Sequence, residues 1–206
     1  MKVVPKSKPK AATTPFTAGD ILELRISLKN CDPKVERTMV VRADITFADL
    51  HYFIQAVMGW ENAHLHEFKV GKKCVGMEPE DDFFADEEML LEDDVRLFDL
   101  LPESKGQFVY WYDFGDDWMH DIKAKVLSAA KVQGLKLPCC TAGSGACPPE
   151  DCGGVWGYAE MLEGLRSGTP QRKKEIRSWL GGSFDPEAFD LKAGDTLHFS
   201  AQRPHR

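Results

Sequence analysis

Alternating hydrophobic and polar residues predict an antiparallel sheet near the start of the chain. In Ile21–Leu28 apolar residues occupy every second position and are separated by charged or hydroxyl side chains, which is the pattern of a strand with one buried face. Asp32-Pro33 is a turn signal, and the stretch from Glu36 to Val41 predicts a second strand. The two strands are therefore expected to pair as a hairpin or as part of a meander.

The densest aromatic pattern predicts another hairpin. Phe108–Phe114 is typical of an aromatic strand, Gly115-Asp116-Asp117 of a tight turn, and Trp118–Val126 of the returning strand. Because side chains alternate across a strand, His120 lies on the same apolar face as Trp118. This hairpin is expected at the centre of the fold.

The length of the turn decides which residue faces His120. A two-residue loop places Trp111 opposite His120 and Asp113 diagonally beside it, where a carboxylate could orient the imidazole. A three-residue loop places Tyr112 opposite His120 and gives a plain aromatic contact. The sequence leaves both registers open.

Helical periodicity predicts the elements that cover the sheet. An apolar stripe runs through residues 47–58, with Asp44 or Thr46 available as an N-cap and Gly59 as the end. Two further helices are expected over residues 156–166 and 171–180.

These elements predict one α+β domain over residues 20–191, with a mainly antiparallel sheet, a central aromatic hairpin and a few packed helices. Residues 1–19 carry four lysines and no acid, which predicts a disordered basic leader. Residues 192–206 are expected to be a C-terminal tail. Glu78–Asp94 holds ten acids and no Lys or Arg, which predicts a solvated, mobile insertion.

Composition limits the ligands and the cellular location that we expect for the protein. The formal net charge of the 206 residues is −7, which argues against nucleic acid as the main ligand. No run reaches the apolar length of a membrane span, and the first residues lack the apolar centre of a signal peptide. We therefore expect a cytoplasmic protein without a membrane partner, in which clustered cysteines are metal ligands or free thiols rather than disulfides.

The cysteines point to a metal. Four of the six lie between Cys139 and Gly154, in a stretch rich in Gly and Pro and without apolar periodicity, which predicts a loop. Cys140, Cys147 and Cys152 could present three thiolates to Zn²⁺, with a fourth ligand from elsewhere. The spacing is not that of a CxxC knuckle, and the alternative is a set of buried free thiols.

A histidine pair offers the fourth ligand. If a strand begins at His64, then His64, His66, Phe68 and Val70 share one face. Two imidazoles then lie at the rim of an apolar surface. The alternative is one core histidine and one exposed histidine.

Three stretches carry a resemblance to a known family. They are Met58-Gly59-Trp60 with His64-Leu65-His66-Glu67-Phe68, then Tyr112–Trp118 with His120, then Ala146–Gly154 with Gly157-Tyr158. In this order they resemble the Ri-plasmid pRiA ORF-three-like family, and the resemblance covers nearly all of residues 20–191. The chain departs from it at residues 35–37, where a tryptophan is expected before the arginine, and at the additional Cys139. The resemblance implies a single α+β domain, often carried on plasmids or mobile elements, and implies no biochemical function.

Two hypotheses use a metal. The first is a zinc-binding domain that contacts a protein partner, with Cys140, Cys147 and Cys152 and either His64 or His66 as ligands.

The second is a metal-dependent hydrolase, in which His64, His66 and His120 with Asp113 or Asp116 hold a metal that activates water. No HExxH motif supports it, so the sequence leaves open whether the protein is an enzyme. A third hypothesis is a metal-free protein-binding module in which these histidines and cysteines only pack.

Overall fold

The computed structural model describes residues 16–77 and 89–191. Within these ranges the chain forms eight strands and five helices. In chain order they are β1 (Ile21–Leu28), β2 (Glu36–Arg42), α1 (Phe47–Met58), β3 (His66–Val70), β4 (Lys73–Gly76), β5 (Met89–Leu91), α2 (Leu97–Ser104), β6 (Gln107–Tyr112), β7 (Trp118–Val126), α3 (Ala129–Val132), β8 (Cys139–Ser144), α4 (Gly154–Ser167) and α5 (Pro170–Trp179).

The strands of this part of the chain form one sheet in the order β5-β4-β3-β6-β7-β1-β2-β8. Neighbouring strands are antiparallel except for β4 and β5, which are parallel. The aromatic hairpin β6–β7 holds the two central positions. The prediction of an α+β fold built on a mainly antiparallel sheet with a central aromatic hairpin is confirmed.

One face of the sheet forms the core, because alternate side chains of each strand point to the same side. The β1 and β2 strands pair as the predicted hairpin. From the four strands at the middle of the sheet, the buried side chains are Leu22, Leu24, Ile26 and Leu28 of β1, Phe68 and Val70 of β3, Phe108, Tyr110 and Tyr112 of β6, and Trp118, His120 and Ile122 of β7.

The helices close over this face. Helix α1 begins after a capping box formed by Thr46 and Asp49 and ends at Gly59, whose φ is +86°, as the sequence predicts. Helices α4 and α5 pack against each other, and Tyr158, Met161 and Ile176 join them to the core. Each of these two helices lies within two residues of its predicted bounds.

The first part of the cysteine-rich stretch is a strand, so the prediction of a loop from Cys139 onward is wrong there. Strand β8 pairs antiparallel with β2, with an irregularity between Thr38 and Met39. An edge strand gains its order from main-chain hydrogen bonds to its neighbour and needs no apolar periodicity of its own. The loop is confined to residues 145–153.

The β6–β7 turn differs from both predicted registers. Five residues, Asp113–Asp117, connect the strands, and Tyr110 lies opposite His120. The Asp113 carboxylate accepts hydrogen bonds from the main-chain N–H groups of Gly115 and Asp116, and Asp113 and Asp117 both adopt positive φ. A side chain that caps its own turn permits a longer connection than Gly-Asp alone suggests.

Some predictions fall outside the described residues: those for residues 1–15 of the leader, for residues 78–88 of the acidic run and for the tail 192–206. For the end of the acidic run the expectation of a solvated segment is wrong. Met89–Leu91 pairs with β4 and Glu92 is buried, because three consecutive apolar residues extend the sheet. No helix in the described ranges has both the length and the apolar character of a membrane span.

Candidate functional site

The four histidines of the described ranges lie at one end of the sheet, where β3 begins and β6 ends. The rings of His51 in α1 and His66 in β3 stack with their centroids 3.4 Å apart. His120 packs against Tyr110, and His64 packs against Tyr112 from the loop before β3. Three of the four are buried, whereas the side chain of His64 is 26% exposed.

His51 belongs to a closed ring of hydrogen bonds. The Gln55 amide donates to the Tyr110 hydroxyl at 3.0 Å, so the phenol hydrogen is free to donate to His51 Nδ1 at 2.8 Å. His51 Nε2–H then donates to Asn62 Oδ1 at 2.6 Å, and the Asn62 main-chain N–H donates to Gln55 Oε1 at 2.9 Å. Burial, and next the neighbouring His66, lower the pKa of His51 to about 3. A neutral His51 therefore ties the loop of residues 59–65 to α1 and β6.

His66 and His120 also face inward. His66 Nε2 lies 2.7 Å from the carboxylate of the buried Glu92. His120 Nδ1 donates to the Tyr110 carbonyl oxygen at 3.2 Å, and burial lowers the pKa of His120 to about 4. These two predicted ligands are thus held inside the core.

His64 has a different environment, because three carboxylates surround its Nε2. This atom lies 3.2 Å from Asp151 Oδ1, 3.6 Å from Asp113 Oδ2 and 3.8 Å from Glu150 Oε2. His64, Asp113 and Asp151 form the group of potential metal ligands found in the described ranges, and their ligand atoms all lie within 4.8 Å of one another. We call these three residues the His64 cluster.

Glu150 is fixed beside the His64 cluster by one of its two oxygens. Its Oε1 accepts hydrogen bonds of 2.9 Å from the Tyr112 hydroxyl and from the Glu61 main-chain N–H. The same hydroxyl accepts from the Ala63 N–H at 3.1 Å. Oε2 is buried and makes no hydrogen bond with the described residues. Tyr112 therefore joins the loop before β3 to the loop before α4 and aims a free carboxylate oxygen at His64.

A close main-chain contact brings a third loop, the β6–β7 turn, to the same place. Gly154 has a φ of +65°, and a Cβ there would lie 2.4 Å from the Asp116 carbonyl oxygen, so the start of α4 can contact the β6–β7 turn only with glycine. The Gly153 N–H donates to Asp116 Oδ2. Trp60 Nε1–H donates to the Pro148 carbonyl oxygen at 3.0 Å. Three loops thus meet around the His64 cluster.

One buried atom of the His64 cluster lacks a hydrogen bond among the described residues. His64 Nε2 is buried and makes no hydrogen bond within the described ranges. The side chain of Asp113 is 9% exposed, and its Oδ1 caps the turn while Oδ2 faces His64. No Lys or Arg of the described residues forms an ion pair with Asp113, Glu150 or Asp151. One imidazole nitrogen and carboxylate oxygens at these separations suit Zn²⁺ or Mn²⁺, and Asp151, 74% exposed, leaves the site open to solvent.

The cysteines are not members of this group, although Cys152 directly follows Asp151. The Cys140 thiol donates to the Ala142 carbonyl oxygen, and no cysteine joins a metal-ligand group with a histidine in the described ranges. Burial raises the pKa of the thiols of Cys140, Cys147 and Cys152, that of Cys152 to about 12. The structure therefore does not support the predicted zinc site.

Arg37 organises the thiol side instead. Its guanidinium donates to the carbonyl oxygens of Val57, Glu36 and Ser144 and lies 4.4 Å from the centroid of the Phe189 ring. The guanidinium also acts electrostatically on Cys140 and Cys147. This buried guanidinium links the main chain of α1, β2 and β8.

The structure brings together two residues that the hydrolase hypothesis grouped, His64 and Asp113. It leaves His66 and His120 in the core, and Asp116 accepts a hydrogen bond from Gly153. Sequence reasoning missed Glu150, Asp151 and Tyr112. Glu150 and Asp151 could have been found from their place in the Ala146–Gly154 motif, of which only the cysteines were considered as ligands.

Comparisons with known proteins identify the family of the chain and a solved structure with the same fold. The model of the plasmid pRiA4b ORF-3-like protein family matches residues 20–193. The uncharacterised protein y4hQ of Sinorhizobium fredii (strain NBRC 101917 / NGR234) is 36% identical over 169 residues, which cover 80% of this chain and 83% of that protein. The crystal structure of MM3350, a protein of unknown function from Methanosarcina mazei Go1, superimposes with a TM-score of 0.73 and 36% identity over 86% of this chain and 98% of its own.

Proposed function

Starting from the fact that the chain belongs to the plasmid pRiA4b ORF-3-like family, whose relatives named above have no stated function, we propose that the protein binds a divalent cation at the His64 cluster. The bound cation fixes three loops into a surface for a protein partner. The observation that carries this proposal is His64 Nε2, which makes no hydrogen bond among the described residues and has three carboxylates within 3.8 Å, with no Lys or Arg of those residues paired to them.

Electrostatics supports a cation over simple packing. Three carboxylates in a partly buried place repel one another, and a divalent cation offsets that repulsion more effectively than a single imidazolium. The three residues of the His64 cluster come from three different loops, so a bound cation would cross-link those loops.

Exposed apolar side chains on these loops support a binding surface. Leu65, which follows His64, is 59% exposed, and Phe114, which follows Asp113, is 45% exposed. Trp156, in the first turn of α4 beside the Gly154–Asp116 contact, is 88% exposed. Large exposed apolar side chains grouped near an ordered site are typical of a protein-binding surface. Cation binding would set their relative positions.

The test is a cation-dependent gain in stability. Protein stripped of metal with EDTA is titrated with Zn²⁺ and with Mn²⁺ while the thermal midpoint is followed. A cation at 100 times its Kd stabilises the native state by about 2.7 kcal/mol. We expect this gain in wild type, its loss in Asp113→Asn and His64→Gln, and its retention in Asp121→Asn.

The variants are matched to the structure. Asparagine tolerates the positive φ of Asp113 and can still cap the turn through its Oδ1, so Asp113→Asn removes charge with little change in shape. Asp121 lies on β7 with an exposed side chain and controls for the loss of one negative charge. A wild-type protein that responds to neither cation would contradict the proposal.

A further inference from the structure

We propose that the His64 cluster and Glu150 together hydrolyse neutral esters or amides, with Glu150 accepting the proton of the attacking water. This inference rests on the cation site proposed above and adds a chemical activity to it. It is carried by the geometry of Glu150 and by the groove that reaches it.

Glu150 stands next to the ligands without being one of them. It does not belong to the group whose ligand atoms all lie within 4.8 Å of one another, although its Oε2 is 3.8 Å from His64 Nε2. Ligands about 2.1 Å from one cation lie at most about 4.2 Å apart, so a carboxylate outside the 4.8 Å group does not share one cation with all three of its members. With Oε1 fixed by Tyr112 and by the Glu61 main chain, Oε2 is the oxygen left to accept a proton from a water at the site.

The same carboxylate borders a groove suited to an apolar group. A cavity of about 420 Å³ runs from Glu150 along the apolar side chains of Trp60, Pro149, Trp179 and Leu180. An ester or amide whose carbonyl carbon lies beside Glu150 can place an apolar acyl chain in this groove. The groove therefore supplies the binding contacts that the acidic cluster does not.

The negative charge of the site favours a substrate without net charge. Asp113, Asp151 and Glu150 carry three negative charges against two positive charges of the cation, and Asp116 lies in the adjoining turn. The site lacks a paired Lys or Arg among the described residues, and phosphoryl-transfer sites rely on such cations to hold the transferring oxygens. A carbonyl group without net charge fits this field better than a phosphate ester.

The reaction balances with water as the only co-reactant. Glu150 Oε2 takes one proton from the water as its oxygen bonds to the carbonyl carbon, and the carbonyl π electrons move to the carbonyl oxygen. The tetrahedral intermediate then breaks its bond to the alkoxide or amine, and Glu150 returns the proton to that leaving group. The products are a carboxylic acid and an alcohol or amine.

The experiment measures p-nitrophenyl butyrate hydrolysis by metal-stripped protein to which Zn²⁺ or Mn²⁺ is added back. We expect cation-dependent release of p-nitrophenol in wild type that falls about 100-fold or more in Glu150→Gln, the scale of one general base. The thermal shift on adding cation is expected to stay in that variant, because Glu150 is not a ligand. Glu103→Gln is the matched control, since Glu103 lies on α2 with an exposed side chain and the change removes the same charge away from the site.

The outcomes separate the two proposals. A cation-induced thermal shift without hydrolysis, or with hydrolysis unchanged in Glu150→Gln, overturns the activity and leaves the cation site standing. Loss of the thermal shift in Glu150→Gln makes Glu150 a ligand and overturns its role as base. Faster hydrolysis of p-nitrophenyl phosphate than of the butyrate overturns the substrate class. Absence of any thermal shift in wild type overturns the cation site itself.

Discussion

His64 and the three interior histidines share one end of the sheet and differ in what the fold provides for them. His51 sits in a closed hydrogen-bond ring, His66 lies against Glu92, and His120 donates to a main-chain carbonyl oxygen. His64 has three carboxylates within 3.8 Å and no hydrogen bond from Nε2 among the described residues.

The difference separates a structural role from a candidate functional one. A buried polar group that has partners stabilises one conformation, whereas a group left without a partner beside charges of one sign is available to a ligand. The interior ring also supports the outer site, because Asn62 links His51 and Gln55 to the loop that carries His64.

The largest effect expected from this comparison is a loss of folding stability in acid, caused by protonation of His51 and His120. The pKa of His120 is lowered by burial from 6.5 to about 4 and that of His51 to about 3. Below pH 6.5 the unfolded chain binds protons that the native state does not. The contribution of the two neutral histidines to the free energy of unfolding is therefore present above pH 6.5 and is lost as the pH falls. At pH 4 the loss is about 3 kcal/mol for each of the two groups.

Urea unfolding of metal-free wild type and His120→Gln at pH 7 and pH 4 measures this effect. Other acid-titrating groups are common to both proteins, so we expect wild type to lose about 3 kcal/mol more than the variant between the two pH values. Equal losses would show that His120 is not held neutral, and the distinction between the interior histidines and His64 would weaken.

A smaller effect is expected from opening the hydrogen-bond ring. Tyr110→Phe leaves the Gln55 amide and His51 Nδ1 without their shared hydroxyl, which costs about 1–3 kcal/mol in the free energy of unfolding. We also expect a weaker thermal response to cation, because the loop of residues 59–65 loses part of its support. Tyr52→Phe, on the same helix as His51 but outside the ring, is the control. An unchanged cation response in Tyr110→Phe would show that the interior ring and the outer site are independent.

The fold was predictable from sequence where local pattern decides it. The alternation of Ile21–Leu28, the Thr46 cap with Gly59, and the aromatic hairpin each follow from period, cap and turn chemistry. Strand β8 was not predictable in this way, since its order comes from pairing with β2, a partner distant in sequence.

The site was harder to predict because its residues have no common motif. His64, Asp113 and Asp151 meet only because Tyr112 and the Gly154–Asp116 contact draw three loops together. The clustered cysteines favoured a metal site at their own positions. In the structure, Arg37 donates hydrogen bonds to main-chain carbonyl oxygens in that region. Residue type singled out His64 and Asp113 as candidate ligands, and spacing could not indicate that they are neighbours.

The smallest effect concerns the thiols of Cys31, between β1 and β2, and of Cys152, which directly follows Asp151. Burial raises the pKa of Cys31 to about 11 and that of Cys152 to about 12 from an ordinary value of 9. At pH 8 the thiolate fraction of a group with a pKa of 11 is about 100-fold below that of an ordinary thiol. Their contribution to stability is present below pH 9 and is lost as the pH rises, the opposite direction to that of the histidines.

Alkylation with iodoacetamide at pH 8, followed peptide by peptide by mass spectrometry, tests this. We expect Cys31 and Cys152 to react at least about 100-fold more slowly in native protein than in urea, and Cys140, Cys147 and Cys152 to react at the same rate with and without Zn²⁺. Protection of these three cysteines by Zn²⁺, reversed by EDTA, would contradict the comparison, because it would place the cation on thiolates rather than at His64. If the rates do not depend on cation while Asp113→Asn abolishes the thermal shift, the two sides of the 145–153 loop have separate roles: packing around Arg37 on one side and ligand binding at His64 on the other.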